Sequence, residues 1–215
     1  RDFGRQTLIS FNRFFGQLSA ILMVVSGLII GPAQAAEPQP ELSLTQLRQA
    51  LLALPPQTGR FLQRAPNGGL LRGTFALALP DKMRFAYEGE AQSIITVSGP
   101  WISVQEAPGA EANRFPVSAT PLQLMREVWD KPISPANVKD ILIESGRAEV
   151  TLVDGDDGET AGLMTLVFDH PKMRLRGWQI TDAQNLVTQF ALTEVRVVDT
   201  LPNSRFFVQE DESDE

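Results

Sequence analysis

The stretch that decides the fold runs from Gly73 to Tyr87 and reads GTFALALPDKMRFAY. Apolar side chains occupy alternate positions in both halves of it, on either side of Pro80-Asp81. A period of two places successive side chains on opposite faces of a strand, so each half has one apolar face. A proline followed by aspartate is typical of a turn. The stretch therefore predicts an antiparallel hairpin, with apolar positions at Phe75, Leu77, Leu79, Met83, Phe85 and Tyr87.

The period of two begins at Gly59 and continues beyond this hairpin. Residues 94–104 predict a second hairpin that turns at Ser98-Gly99-Pro100, whereas residues 105–116 are rich in alanine, proline and glycine and predict a loop. Many short strands separated by turns favour an antiparallel sheet, and no segment alternates strand with helix as a parallel fold would. The predicted class is mainly β (α+β), with two or three helices on the sheet. Further strands are expected at 138–144, 148–153, 163–168, 175–181 and 187–195.

A first helix is predicted just before the sheet. Ser43 and Gln46 have the spacing of a capping box, and Pro55-Pro56 ends the helix. Its apolar positions recur at helical spacing and are Leu44, Leu47, Leu51 and Leu54.

A second helix is predicted from Thr120 to about Asp130. We expect Thr120 to be the N-cap, Pro121 to occupy the first helical position and Gln123 to complete a capping box. The apolar face consists of Leu122, Met125, Val128 and Trp129.

The first 35 residues have the layout of a secretory signal. Three arginines precede an uncharged apolar stretch at 18–30, and Ala33 and Ala35 form an A-x-A site. A retained membrane anchor is the alternative, although a spanning helix needs about 20 apolar residues. Because Gly31-Pro32 ends the apolar run early, we expect cleavage after Ala35 by the general secretion route. The sequence then predicts a periplasmic protein, with one domain over 36–208 and an acidic, disordered tail over 209–215.

Composition excludes several functions. The formal net charge is −7, which disfavours nucleic-acid binding because phosphate contacts need clustered basic residues. The chain has no cysteine, so thiol nucleophiles, disulfides and lipid attachment at an N-terminal cysteine are excluded.

Catalytic and metal-binding motifs are scarce. There is no G-x-S-x-G motif, and the single histidine, His170, stands directly before Pro171, where a turn residue is expected. The acidic segment that begins at Asp154 lacks the glycine and glutamate of an EF-hand at the sixth and twelfth positions. We expect no enzyme, cofactor or metal site, while a pair of carboxylates acting as in glycosidases stays open.

Large apolar side chains occur in nearly every predicted element, and two interpretations of them stay open. They fill an ordinary core, or some of them line a cavity under a curved sheet that few helices cover. In the second case an acyl chain would gain about 0.8 kcal/mol per buried CH₂.

Five motifs occur in the order seen in one family. They are GRFLQ at 59–63, the hairpin GTFALALPDKMRFAY at 73–87, IITVSGPWI at 94–102, TPLQLM at 120–125 and LPNSRF at 201–206. Together the motifs span most of residues 42–208, and the hairpin is the most specific of them. The chain resembles the periplasmic outer-membrane lipoprotein carrier family (LolA-type).

The resemblance implies an incomplete, strongly curved antiparallel β-barrel whose concave face is covered by helices acting as a lid. It implies a monomeric carrier that shuttles the acyl chains of lipoproteins from the inner to the outer membrane. Its expected partners are acylated lipoprotein cargo, an inner-membrane ABC transporter of the lipoprotein-release type and an outer-membrane acceptor lipoprotein. It also implies that the segment 201–206 is a closing strand.

Residue by residue, the resemblance and the apolar pattern predict a lipid-binding surface. Leu47 and Leu51 would belong to the lid, as would two of the following residues, Met125 and Trp129. The predicted surface is Phe61, Phe75, Leu77, Met83, Phe85, Tyr87, Val97, Trp101, Met125, Trp129, Phe168 and Trp178.

One position departs from the family pattern. Leu79 stands directly before the hairpin proline, where the best-known carriers have an arginine that latches the lid. The resemblance leaves Arg60, Arg72 and Arg84 as candidate substitutes. A binding protein for another lipid or apolar ligand, a hydrolase and a structural or interaction protein stay open as alternatives.

Overall fold

The computed structural model describes residues 42–90, 92–153 and 162–208. The predicted signal sequence with its cleavage after Ala35, the acidic segment from Asp154 and the tail 209–215 lie outside the described residues. Within the described part of the chain, no helix is long and apolar enough to cross a membrane.

The described strands form one antiparallel, 11-stranded sheet. Two meanders, β1–β6 and β7–β11, join where β1 pairs with β11, and β6 and β7 are the free edges. The sheet is thus curved and open, and the predicted fold class is confirmed. The strands are β1 (Gln57–Arg64), β2 (Leu70–Ala78), β3 (Lys82–Tyr87), β4 (Ile94–Ser98), β5 (Trp101–Gln105), β6 (Ala112–Pro116), β7 (Val138–Glu144), β8 (Arg147–Leu152), β9 (Leu163–Asp169), β10 (Arg174–Thr181) and β11 (Val187–Val197).

The hairpin at the start of the sheet forms as its alternation predicts. Phe75 pairs with Phe85, and Leu77 pairs with Met83. Gly73, opposite Tyr87, gives room to a ring on the next strand: a Cβ there would lie 2.0 Å from the Ala86 carbonyl oxygen and 2.8 Å from the Phe61 ring. The glycine therefore leaves room for the Phe61 ring beside the hairpin.

Two helices, α1 (Leu44–Leu52) and α2 (Leu122–Asp130), pack against one face of the sheet. We call this the inner face and the opposite one the outer face, and we call α1 and α2 the lid helices. The capping box at Ser43 and Gln46 is confirmed, because each side chain bonds the other residue's backbone N–H.

The predicted cap of the second helix is wrong. Residues Val117–Ala119 form a 3₁₀ turn just before it, and the Thr120 hydroxyl donates to the Val117 carbonyl at 2.9 Å. The N-cap is Pro121, which makes no side-chain cap bond. The turn occupies the hydroxyl that the capping box required.

Two other expectations are corrected. The predicted loop at 105–116 contains the edge strand β6, which pairs with β5 through its backbone. Four of its five residues are exposed, so no buried face marks it in the sequence. The segment 201–206 is not a strand, because Asn203–Phe206 forms a 3₁₀ turn against β3 and β4.

The core lies between the inner face and the lid helices. The buried residues from the helices are Leu47 and Leu51 of α1 and Leu124, Met125 and Val128 of α2. From the sheet they include Phe61, Phe75, Leu77, Met83, Phe85, Val97, Ile102, Ala148, Val150, Leu152, Met164, Leu166, Phe168, Leu175, Trp178 and Leu192.

Candidate functional site

Five aromatic rings meet on the inner face, and we call them the aromatic cluster. They are Phe61, Phe85, Tyr87, Trp178 and Phe190. The Phe61 ring meets Phe85 edge to face at 5.3 Å and Tyr87 at 5.0 Å between centroids. Trp178 stacks on Phe190 at 5.0 Å with an interplanar angle of 23°. Such offset and edge-to-face pairs contribute about 0.5–1.5 kcal/mol beyond their buried area.

Strand pairing brings these rings together. Trp178 of β10 lies opposite Phe190 of β11, and Phe190 lies opposite Gln63, two positions from Phe61 on the same face of β1. Phe85 completes the cluster, with its ring centroid 5.7 Å from that of Trp178 and 5.8 Å from that of Phe190. The cluster therefore spans the junction of the two meanders.

The aromatic cluster contains two polar groups that differ in their hydrogen bonding. The Tyr87 hydroxyl donates to the Gln63 side-chain oxygen, and burial raises the pKa of Tyr87 to about 12. The indole N–H of Trp178 is buried, and within the described residues it has no hydrogen-bond partner. Leaving such a donor unpaired costs about 1–3 kcal/mol, so an acceptor that reached it would be stabilised.

Arg48 clamps the lid helices to each other. Its side chain extends from α1 to the end of α2, where Nε donates to the Lys131 carbonyl at 3.2 Å and Nη2 to the Trp129 carbonyl at 3.4 Å. The last carbonyls of a helix have no partner within it and carry partial negative charge. A cation is therefore well placed at this end of α2.

Two pockets open where the lid helices meet the sheet. One of about 370 Å³ lies between α2, the connection 131–137 and the end of β8, and its apolar wall includes Leu124, Val128 and Leu152. The other, of about 300 Å³, lies between the end of α1 and the strands β10 and β11. Both edges of the lid thus have space beside the core.

The structure places the predicted lipid-binding residues as follows. Tyr87 and Trp129 are partly buried against the core, and Trp101 lies outside it. Buried in the core are Phe61, Phe75, Leu77, Met83, Phe85, Val97, Met125, Phe168 and Trp178.

The placement predicted for Trp101 on the inner face is wrong. Its neighbour Ile102 is buried in the core, and alternation along β5 turns Trp101 to the outer face with 52% of its surface exposed. Ile102 and Trp101 are both apolar, so the sequence alone did not show which of them faces inward.

None of the three arginines suggested as substitute latches reaches the lid. Arg60 and Arg72 lie on the outer face beside Glu88, at 2.6 Å and 3.9 Å between nitrogen and oxygen. Arg84 donates to the Thr96 hydroxyl at 3.4 Å. The side-chain hydrogen bonds that join the lid helices come from Arg48, which the sequence did not single out.

Sequence reasoning missed two further features of the site. Phe190 was not predicted to bind lipid, yet it contacts three other rings of the cluster. Gln63 belongs to the motif at 59–63, but no role was predicted for its side chain. Its hydrogen bond with Tyr87 forms because β1 and β3 both pair with β2. A signal for Phe190 existed, because it lies in a strand-like segment with period-two apolar positions.

Comparison with known proteins gives a family. A family model described as "Outer membrane lipoprotein carrier protein LolA" matches residues 57–209. No curated protein matches the sequence.

Several solved structures are similar at low identity. A LolA superfamily protein from Nitrosomonas europaea is 10% identical, with a TM-score of 0.41 over 76% of this chain and 95% of that one. The MucA/MucB complex of Pseudomonas aeruginosa gives 10% identity and a TM-score of 0.44 over 76% and 59%. The lipoprotein LppX of Mycobacterium tuberculosis gives 14% and 0.37 over 73% and 97%. The family model covers most of the 215 residues, and on that ground the chain belongs to the outer membrane lipoprotein carrier (LolA) family.

Proposed function

We propose that the protein is a periplasmic carrier that holds the acyl chains of lipoproteins against its inner face and moves them from the inner to the outer membrane. The observation that carries the proposal is the aromatic cluster with its buried, unpaired indole N–H beneath two clamped helices. Membership in the LolA family supports a lipid- or lipoprotein-binding role. The protein acts by reversible burial and performs no covalent chemistry.

The energetics of exchange support this proposal. The lid helices bury five apolar side chains, each contributing about 1.5–3 kcal/mol, or roughly 7–15 kcal/mol in all. An acyl chain of about 15 methylenes gains roughly 12 kcal/mol when buried at about 0.8 kcal/mol per CH₂. Because the two quantities are similar, an acyl chain can replace the helices on the inner face without a large net cost.

The polar groups give the cargo its orientation. An acyl chain of a lipoprotein ends in an ester or amide carbonyl, which is a hydrogen-bond acceptor. The Trp178 N–H is a donor only, so it suits that carbonyl. The Tyr87–Gln63 pair closes on itself and leaves the rest of the cluster apolar.

Opening requires the Arg48 clamp to break. Both of its bonds are long, and one lies in an exposed position, so water can replace the carbonyl oxygens at modest cost. An inner-membrane ABC transporter of the lipoprotein-release type would load the open form. An outer-membrane acceptor lipoprotein would take the cargo from the monomeric carrier.

The test is release of newly acylated lipoprotein from spheroplasts by the purified protein. We expect lipoprotein in the soluble fraction as a one-to-one complex, and we expect Phe85→Asp to abolish release because it buries a charge in the cluster. Trp101→Asp, on the exposed outer face, is the matched control and should release normally. If the folded wild-type protein releases nothing, the carrier assignment is wrong.

A second candidate is a periplasmic binding protein for another lipid or apolar ligand. Leu79 favours it, because the latch arginine of the best-known carriers is missing there and Leu79 packs against the core instead. Lipid extracted from the purified protein and identified by mass spectrometry separates the two. A lipid other than a lipoprotein acyl chain, together with failure in the release assay, would establish the second candidate.

A further inference from the structure

Four arginines line a single pocket on the outer face. The pocket has a volume of about 370 Å³ and lies over β1, β2, β3 and β11. Its arginines come from three strands and from the 3₁₀ turn, while Glu194 is its one carboxylate within the described residues. The chain as a whole carries a net charge of −7, so this is a local reversal of sign. The arginines are Arg60, Arg84, Arg196 and Arg205.

Within the described part of the chain, most of this positive charge has no carboxylate paired with it. Arg60 forms an ion pair with Glu88 at 2.6 Å, and this hydrogen bond raises its pKa. Arg84, Arg196 and Arg205 form no ion pair with any residue that the structure describes. Among the described residues the pocket therefore has three arginines without an ion pair and one carboxylate.

Arg84 is the most constrained of the three. Arg84 is half-buried. Its guanidinium donates a hydrogen bond of 3.4 Å to the hydroxyl of Thr96, which is neutral. Burial, and then the charge of Arg205, lower the pKa of Arg84. Two cations held close in a partly desolvated site repel each other, and a bound anion relieves that repulsion.

The second cation is held in place by its own segment. Arg205 belongs to the turn Asn203–Phe206, whose Phe206 side chain is buried to 1% exposure. The turn contacts β3 and β4 on the face that carries Arg84. Anchoring of Phe206 therefore positions Arg205 beside Arg84 and reduces the entropy that a ligand would otherwise have to overcome.

The size and donors of the pocket indicate the class of ligand. A volume of about 370 Å³ is at the lower end for small-molecule sites. The hydroxyls of Thr58 and Thr74 add neutral hydrogen-bond donors to the pocket lining. Guanidinium groups bind the oxygens of carboxylates and phosphates in pairs. The charge of a phosphate group, about −1.5 to −2, favours it over a singly charged carboxylate where three cations meet.

We propose that this outer-face pocket binds a phosphate group through Arg84, Arg196 and Arg205. The group comes either from soluble phosphate or from the headgroup of a phospholipid. This pocket lies on the opposite face of the sheet from the aromatic cluster. An acyl chain bound at the inner face would therefore not contact a phosphate bound in the pocket.

The test uses inorganic phosphate as the probe and isothermal titration at constant ionic strength, with chloride as the balancing anion so that screening does not change. We expect one phosphate per chain, and binding at least tenfold weaker in both Arg84→Gln and Arg205→Gln. Arg205→Gln changes an exposed residue, so it tests the site without disturbing the sheet. Arg174→Gln removes the same charge outside the pocket, where Arg174 pairs with Asp169, and should bind within twofold of wild type.

Three outcomes overturn the proposal: no phosphate binding, equal binding in the Arg84, Arg205 and Arg174 variants, or acetate competing as well as phosphate. Vesicles of phosphatidylglycerol then separate the two sources. Arginine-dependent binding to the vesicles supports the headgroup, and phosphate binding without vesicle binding supports the soluble ion.

Discussion

Strand β3 presents two different surfaces from one short run of residues. Met83, Phe85 and Tyr87 face inward and join the core, whereas Arg84 and Ala86 face outward and line a charged pocket. The inner surface is closed by helices and packed with rings, and the outer one is open and cationic. The same backbone register fixes both surfaces, so a shift by one residue would exchange them. The packed core lies on the inner face, where we propose that acyl chains bind, and the proposed phosphate site lies on the outer face.

The largest difference in stability is expected between two tryptophans that face opposite sides of the sheet. Trp178→Ala removes a ring that is 3% exposed and should cost about 3–5 kcal/mol of unfolding free energy. Trp101→Ala removes a ring that is 52% exposed and should cost about 0.5 kcal/mol. Urea denaturation of both variants measures the difference. Equal losses would mean that the two faces do not differ as described.

Tyr87 tests how well the inner face excludes water. It is the one tyrosine of the chain, so the tyrosinate absorbance reports on it alone. We expect a midpoint at about 12 in the folded protein and about 10 in denaturant. Because burial raises the pKa of this acid in the folded state, stability falls as pH rises above the unfolded value, by up to about 2 kcal/mol.

The matched control for that titration is Tyr87→Phe. Its free energy of unfolding should fall less between pH 10 and pH 12 than that of the wild type. An ordinary midpoint in the folded protein would show that the aromatic cluster is open to solvent.

We expect the hydrogen bonds of Arg48 to control how often the lid opens. Arg48→Met keeps the aliphatic stem but loses both bonds to the α2 carbonyls, and it should cost about 1–2 kcal/mol. An apolar fluorescent probe should then bind faster, because the lid opens more often. Arg126→Met is the control: Arg126 pairs with Asp130 one turn away at 3.8 Å, and its loss should cost about 0.3–0.5 kcal/mol. Identical rates of probe binding in the two variants would show that the hydrogen bonds of Arg48 do not hold the lid closed.

The smallest effect is expected at an ion cluster on the outer face. Although burial opposes it, hydrogen bonds from Arg176 and Arg174 lower the pKa of Asp169. A carboxyl with a lowered folded pKa stabilises above its unfolded pKa, and this contribution is lost as pH falls through the folded value. Asp169→Asn should cost about 0.5–1 kcal/mol at neutral pH and nothing in strong acid, as thermal unfolding against pH would show. A cost that persists in strong acid would contradict the assignment.

The sequence predicted the elements whose side chains alternate cleanly. The hairpin around Pro80-Asp81 and the strands from Val138 onward form within a residue or two of their predicted bounds. Most of them have one buried face, which produces the alternation in the sequence. The edge strand β6 was missed because its residues are exposed. Trp101 was misplaced because Trp101 and Ile102 are adjacent and both apolar, so alternation alone does not show which of them faces the core.

The candidate site was predictable only in part. Most of its apolar members follow from alternation, and the family resemblance indicated that they face a lid. Arg48 could not be found, because its partners lie more than 80 residues away and are backbone carbonyls. The outer pocket was equally hidden, since its arginines come from separate strands and a turn that was expected to be a strand.

The most direct test of the central claim is photo-crosslinking with an acyl chain that carries a diazirine near its end. We expect crosslinks to peptides that contain Phe85, Trp178 and Phe190 in the wild-type protein. We expect these crosslinks to be lost in the Phe85→Asp variant. Crosslinks confined to the outer face, or none at all in the folded protein, would contradict the assignment of acyl binding to the inner face.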